Sequence, residues 1–417
     1  MKTNELPLQK RSSYSRLFHN HNFVALWIGQ MISFLGDYFN WLAIPIMVNR
    51  LTGSAMMVGI SVMATALPAL IFGPLAGVFV DRWDRKWTMI LADVFRALLV
   101  LPLLLVNRPD QVWMFYAVGF SVSCISQFFF PARGAVLPLV VTDKEDWLPA
   151  NGLMQIIQTI GLIAGPALAG LAIGLWGEKV AFIANSTGYT ASAIAVATMT
   201  VPRTTSNPPS GTNQLRTIWL DLKDGVVYLF SHRSTSGALI CLTVVMLGYG
   251  AINVVWVPFL QNKFGIGATG LGIVDASQGA GMVVGGILLG YIAGRISKPI
   301  LGAGGIALIG IGFGIMGFVP LFSLITVISF VIGIAIVPAQ SALNTIMQLA
   351  VPDLKRGRVG SSFNAVTTAA SLISMGTAAL ISEKIGLQNV YLLTGIIVLV
   401  GGLMGFWLLE EPEERSE

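Results

Sequence analysis

Five charged residues interrupt long apolar runs: Asp37, Asp93, Arg96, Arg133 and Asp275. An ionised side chain in hydrocarbon costs about 2.5–3.5 kcal/mol on the insertion scale, so such residues mark ion, proton or substrate pathways, or pair with one another. Asp37 stands in Gly29-Gln30-Met31-Ile32-Ser33-Phe34-Leu35-Gly36-Asp37-Tyr38-Phe39-Asn40-Trp41, with no lysine or arginine close in sequence. It reads either as a carboxyl that binds and releases a proton or cation, or as a structural acid satisfied by Asn40 or by hydroxyls of another helix. Asp93 and Arg96 are three residues apart and share a helix face. They either neutralise each other or link to Asp81. Asp275, beside Ser277 and Gln278, suits a second protonation or cationic-substrate site, or an acid in a wet vestibule. Aromatic residues near Asp37 (Phe34, Tyr38, Trp41) and Trp256 offer the apolar walls that a bulky amphipathic ligand needs.

Other chemistry finds no support. The two cysteines, Cys124 and Cys241, both lie in apolar runs, and the three histidines have no metal-ligand spacing. No GxxxxGK[ST] phosphate loop occurs. No cofactor, metal or enzymatic activity is expected.

The elements that position these residues follow from composition. Of 417 residues 54% are hydrophobic and 11% charged, with a mean hydropathy of +0.76. A soluble chain carries about 25% charged residues. That excludes a cytosolic globular enzyme, a disordered protein and a nucleic-acid binder. Spans of about 20 apolar residues are expected near 22–49, 56–80, 87–106, 111–138, 151–175, 180–200, 236–261, 269–293, 300–319, 323–350, 359–382 and 387–409. The predicted architecture is an all-α membrane protein of twelve transmembrane helices in two pseudo-symmetric six-helix bundles, residues 1–200 and 236–417. Between them, 201–235 reads as a linker, rich in Pro, Ser and Asn. Leu215, Ile218, Trp219, Leu222, Val226 and Leu229 then recur at helical spacing, as in an amphipathic helix on the membrane surface.

Eighteen of the 25 lysines and arginines fall on the side of the chain termini and five (Arg50, Arg108, Lys179, Lys263, Lys384) on the other. The positive-inside rule therefore predicts both termini in the cytoplasm. The halves also echo each other: Pro131-Ala132 with Pro338-Ala339, Pro45 with Pro258, and Gly77 with Gly290. Such internal repeats are common in transporters.

The loop after span two reads Gly77-Val78-Phe79-Val80-Asp81-Arg82-Trp83-Asp84-Arg85-Lys86. It resembles the G-x-x-x-D-R-x-G-R-K signature of the major facilitator superfamily, with Asp84 in place of the last glycine. A degenerate copy runs from Gly290 to Lys298, where Gly294 replaces the acid. The resemblance implies that Asp81 meets the start of span eleven near Val359 and holds the cytoplasmic gate, with Arg82, Arg85, Lys86 and Arg133 in the same network. Span five carries Gly152, Gly161, Gly165-Pro166 and Ala169-Gly170, which resembles the antiporter signature of proton-coupled exporters. The region Ser121–Ser126 holds no arginine of the kind that many drug/proton antiporters carry in span four. The run Phe129 to Pro138, with Leu26-Trp27 and Gly29-Gln30, instead resembles the macrolide-efflux and enterobactin-exporter branch.

These features together predict a monomeric proton antiporter of the bacterial cytoplasmic (inner) membrane that exports amphipathic small molecules of drug or macrolide type by alternating access. A siderophore exporter and a lysophospholipid flippase share the architecture and stay open as alternatives. A membrane scaffold is the remaining class.

Overall fold

The computed structural model describes residues 13–202, 214–352 and 355–410. The proline-rich part of the linker, 203–213, and the acidic tail, 411–417, lie outside the described residues. So do the side chains of Leu215 and Ile218. Among the described residues the regular structure is helical throughout. Twelve helices are long and apolar enough to cross a membrane. In chain order they are α2 (His21–Thr52), α3 (Ala55–Val80), α4 (Arg85–Val100), α5 (Trp113–Val140), α6 (Trp147–Trp176) and α7 (Lys179–Thr198). After the linker come α9 (Arg233–Phe264), α10 (Ala268–Ile292), α11 (Lys298–Met316), α12 (Phe322–Ala350), α13 (Arg356–Ile385) and α14 (Leu387–Leu408). Two shorter helices, α1 (Ser13–His19) and α8 (Gln214–Ser231), precede the first and the seventh span. This is a multi-pass membrane protein.

Helix ends follow local chemistry. Asn20, Ser54 and Asp84 sit just before α2, α3 and α4 and accept hydrogen bonds from the main-chain N–H groups of Phe23, Met57 and Trp87. Asp84, a departure from the loop signature, is thus the cap that starts α4. The third span was expected to run unbroken to residue 106. Instead Pro102 ends the α-helix at Val100 and the chain continues as a 3-10 turn, Leu101–Leu105. Four glycines have positive φ: Gly53, Gly177, Gly265 and Gly386. They follow the first and fifth spans of each half, all at the face opposite α1 and α8. The turn chemistry therefore repeats with the fold.

The packing repeats as well. α2 packs on α6 and α7, α3 on α5, and α4 on α7; in the second half α9 packs on α13 and α14, α10 on α12, and α11 on α14. The most extensive contacts between the halves are α6 with α10 and α3 with α13; α9 and α10 also touch α2, and α9 touches α3. Glycine makes the first one possible. Pro166 lacks an N–H and leaves the carbonyl of Leu162 without its helix partner. Gly279 of α10 covers that carbonyl, where a Cβ would lie 2.7 Å from the oxygen. One turn on, Gly170 faces the backbone of Ala268 and Gly272, and Gly272 faces the carbonyl of Pro166.

The halves touch in the half of the molecule away from α1 and α8. There Ser54 bonds Glu383 at 2.5 Å, Asn49 bonds Gln261 at 2.8 Å, and Gly59 lies under Ala379. At the opposite, basic face a Cβ on Gly77, Gly152, Gly290, Gly357 or Gly360 would meet nothing within 4 Å.

α1 is pinned to the loop before α6 by Arg16, which bonds Asp146 at 2.9 and 2.5 Å. α8 was expected to lie on the membrane surface; it docks on the second bundle. Ser362 donates to the Leu222 carbonyl at 2.9 Å, Arg358 pairs with Asp221 at 2.9 Å, and Leu229 is fully buried. Trp219 and Phe230 remain exposed.

Candidate functional site

Asp37 lies midway along α2, where Gly36 allows close approach to α7 at Asn185. Its Oδ1 accepts from the hydroxyl of Tyr189 at 2.5 Å and from Nδ2 of Asn185 at 3.2 Å, both on α7. Asn40 bonds Asn185 at 2.7 Å and not Asp37. Asn185 and Tyr189 are the partners of Asp37 that sequence reasoning missed. The available signal was spacing: Asn185, Tyr189 and Ser192 fall at i, i+4 and i+7, on one face of the helix.

Behind Tyr189 lies the Asp93–Arg96 ion pair of α4, with both side chains essentially inaccessible at 0% and 2%. The Arg96 guanidinium sits 4.2 Å from the Phe129 ring centroid and 4.4 Å from that of Tyr189, and its Nη1 donates to Ser126 at 3.3 Å. Asp93 and Arg96 thus pair with each other. A buried guanidinium does stand beside the Asp37 cluster, but from span three and not from span four.

Asp37 and Asp275 face each other across one cavity of about 630 Å³ between the bundles. Phe34, Tyr38 and Trp41 line it from the first bundle. Tyr249, Gln278 and Met282 line it from the second. It reaches toward the basic face along Leu242, Gln340 and Leu343. Trp256, expected in this wall, instead lines a smaller chamber next to Asp37. The glycines of span five divide their work. A Cβ on Gly161 would strike Phe34, and one on Gly165 would strike Tyr38, so these two seat the cavity aromatics. Gly170 and Pro166 belong to the α6–α10 contact, and Gly152 faces open space.

The loop residues have local partners. Lys86 donates to the carbonyls of Ala197 and Met199 at 2.8 and 2.6 Å and so closes the end of α7. Arg85 reaches the Ala135 carbonyl at 3.3 Å. Asp81 ends α3, with its main-chain N–H bonded to the Gly77 carbonyl. Arg133 was expected in the same network; it bonds Gln30 at 3.3 Å and lies over the Phe130 ring. The named contacts between α3 and α13 lie at the far face, and at the basic face α8 packs on the start of α13.

A large, mostly apolar cavity between two repeats, with two carboxylates on its wall, suits an organic small molecule. The family model of the Major Facilitator Superfamily matches residues 26–242 and again 238–417. The chain belongs to that superfamily. It is a membrane transporter and not an enzyme. Among its relatives, Macrolide efflux protein A of Streptococcus pyogenes is 29% identical over 383 residues, covering 90% of this chain and 93% of that protein. The multidrug efflux pump Tap of Mycobacterium bovis is 23% identical, covering 89% and 90%. The fold matches the crystal structure of a bacterial homologue of the iron transporter ferroportin in its inward-facing state. That match has a TM-score of 0.70 at 15% identity and covers 92% of this chain and 98% of the other.

Proposed function

We propose that this major facilitator protein exports hydrophobic or amphipathic organic molecules of drug or macrolide type, driven by inward proton movement. The observation that carries the reading is the shared cavity. Asp37 and Asp275 reach it from opposite bundles, and most of the remaining wall is apolar or aromatic. Alternating access fits two bundles that line one cavity between them. In this cycle Asp37 exchanges a proton, and the Asp81 loop meets α13 when the basic face closes. A proton moving down about 100 mV supplies roughly 2.3 kcal/mol before any pH gradient is added.

The basic face is the cytoplasmic side of the bacterial inner membrane, by the lysine and arginine bias, and the transporter works as a monomer. Carboxylates on the wall favour neutral or cationic cargo over an anionic siderophore. A flippase would additionally need lipid to enter sideways.

The test is transport of a macrolide in proteoliposomes under an imposed pH gradient. Asp37→Asn is expected to abolish uphill export while leaving binding and folding intact. Wild-type uphill transport by that variant would sink the assignment.

A further inference from the structure

The linker helix α8 gives one face to the second bundle and leaves the other bare. On the docked side a Cβ on Gly225 would strike Ser362 and the Arg358 carbonyl, and Leu229 is fully buried. On the other side Trp219, Leu220, Lys223, Val227 and Phe230 are exposed. They fall at i, i+1, i+4, i+8 and i+11, on one helix face, with a lysine and no acid among them. Trp219 is 70% and Phe230 61% accessible. Depth says what covers them. A single residue, His232, separates the end of α8 at Ser231 from the membrane span α9. Phe230 therefore lies where the chain enters the bilayer. That is the level of the lipid headgroups, where tryptophan and basic residues concentrate.

Beside that face a cleft of about 550 Å³ opens between α8 and the start of α13. Lys355 and Arg358 line it from the α13 side, and Asp224, Ser231 and His232 from the α8 side. Tyr228 braces it. Its ring stacks on His232 at 4.3 Å, its hydroxyl donates to the Ala350 carbonyl at 3.2 Å, and the Nζ of Lys355 lies 4.9 Å from its centroid. Arg358 spends its Nε on Asp221. Neither Lys355 nor Asp224 has an ion-pair partner among the described residues, although both line the one cleft. Ser231 donates its proton to the Val227 carbonyl at 2.6 Å and can otherwise only accept. The cleft thus offers cations to an anion's oxygens and, next to them, acceptors that require a donor.

We infer that this cleft binds an anionic glycerophospholipid of the phosphatidylglycerol kind, drawn from the leaflet at the basic face. Its phosphate meets Lys355 and Arg358, its headgroup hydroxyls donate to Asp224 and Ser231, and its acyl chains lie along Val227, Phe230 and Trp219. Net charge supports an anion: Lys223, Lys355 and Arg358 outnumber Asp221 and Asp224. Phosphatidylethanolamine brings a donor but no net charge, and phosphatidylcholine brings neither. The site shares no residue with the central cavity and does not depend on what the transporter carries. A lipid held there bridges α8 and α13 and so stiffens the joint between the linker and the second bundle.

Purified protein in neutral detergent tests this by thermal melts titrated with phosphatidylglycerol, phosphatidylethanolamine or phosphatidylcholine, while native mass spectrometry counts retained lipid. Glycerol 3-phosphate is the fourth titrant, because it carries the phosphate and hydroxyls without the chains. In the wild type the melting temperature is expected to rise saturably with phosphatidylglycerol and to need more phosphatidylethanolamine for the same gain. Phosphatidylcholine and glycerol 3-phosphate should give no saturable gain. Lys355→Gln is expected to move the phosphatidylglycerol midpoint about fivefold toward weaker binding. Phe230→Ser should weaken binding without any change of charge. Arg295→Gln, which removes an exposed base of the same face outside the cleft, should titrate as wild type. If Lys355→Gln already melts lower without lipid, the count of phosphatidylglycerol retained on its folded fraction decides in place of the midpoint. Equal gains with phosphatidylglycerol and phosphatidylcholine, a preference for phosphatidylethanolamine, or an unshifted Lys355→Gln overturns the inference. So does an equal shift in Arg295→Gln, which would mean a general attraction of the basic face. A gain from glycerol 3-phosphate equal to that from the lipid would assign the cleft to a free phosphate and overturn the lipid.

Discussion

The hydroxyl of Tyr189 donates to Asp37 at 2.5 Å, while the ring of the same residue lies 4.4 Å from the guanidinium carbon of Arg96. One side chain of span six thus touches both the carboxylate that faces the cavity and the ion pair sealed behind it. Asp37 belongs to the cavity wall; Asp93 and Arg96 do not.

Tyr189→Phe keeps the ring over Arg96 and removes only the hydroxyl. A hydrogen bond to a charged group contributes about 1.5–3 kcal/mol, so proton-driven export is expected to fall about tenfold or more. Cargo binding, measured without a gradient, should stay within twofold. An equal loss of both would assign Tyr189 to the cargo site instead.

Arg96→Ala leaves Asp93 buried and unpaired and is expected to cost about 3–5 kcal/mol, with loss of folded protein in size-exclusion and thermal-melt assays. Asp93→Leu with Arg96→Met removes both charges and should recover most of the yield. Recovery of stability without recovery of export would separate the structural from the coupling role of the pair.

Gly165→Ala places a methyl group against the Tyr38 ring, whereas Gly152→Ala meets nothing within 4 Å. Export by the first variant should drop severalfold, because the ring is pushed into the cavity. The second should export as wild type and melt up to about 1 kcal/mol more stably from helix propensity alone. Equal effects in the two would mean that the glycines share one general packing role.

Gly272→Ala sets a methyl group against the main-chain carbonyl of Pro166, which cannot swing aside as a flexible side chain would. Overpacking of this kind costs about 1–3 kcal/mol, and here it strains the contact between the bundles. A lower melting temperature and slowed export are expected together.

Asp84→Ala removes the cap that accepts the Trp87 N–H at 2.9 Å and should cost about 1 kcal/mol. A thermal melt of the variant checks this. Unchanged stability would return Asp84 to a surface charge.

Much of this was readable from residue order. Span count and the loop motif follow from apolar run length and residue spacing, which are local properties. Asp37, Asp93, Arg96 and Asp275 announced themselves because charge in an apolar run is rare. The misplacements share one cause, a missing angular coordinate. Arg133 was assigned to the gate by its depth in span four, yet its rotation about the helix axis turns it to Gln30. Trp256 was placed in the cavity wall by depth and lies one chamber away.

The sequence by itself determined what must be buried in lipid, which face carries the positive charge, and which charged residues interrupt the apolar runs. Only the tertiary structure decided which of those charges meet. Asp37 finds Tyr189 and Asn185 across 152 and 148 residues of chain, and no local pattern encodes a contact between helices so far apart. Helix rotation and close approach at glycine fix that pairing, and both are set by packing of the whole bundle.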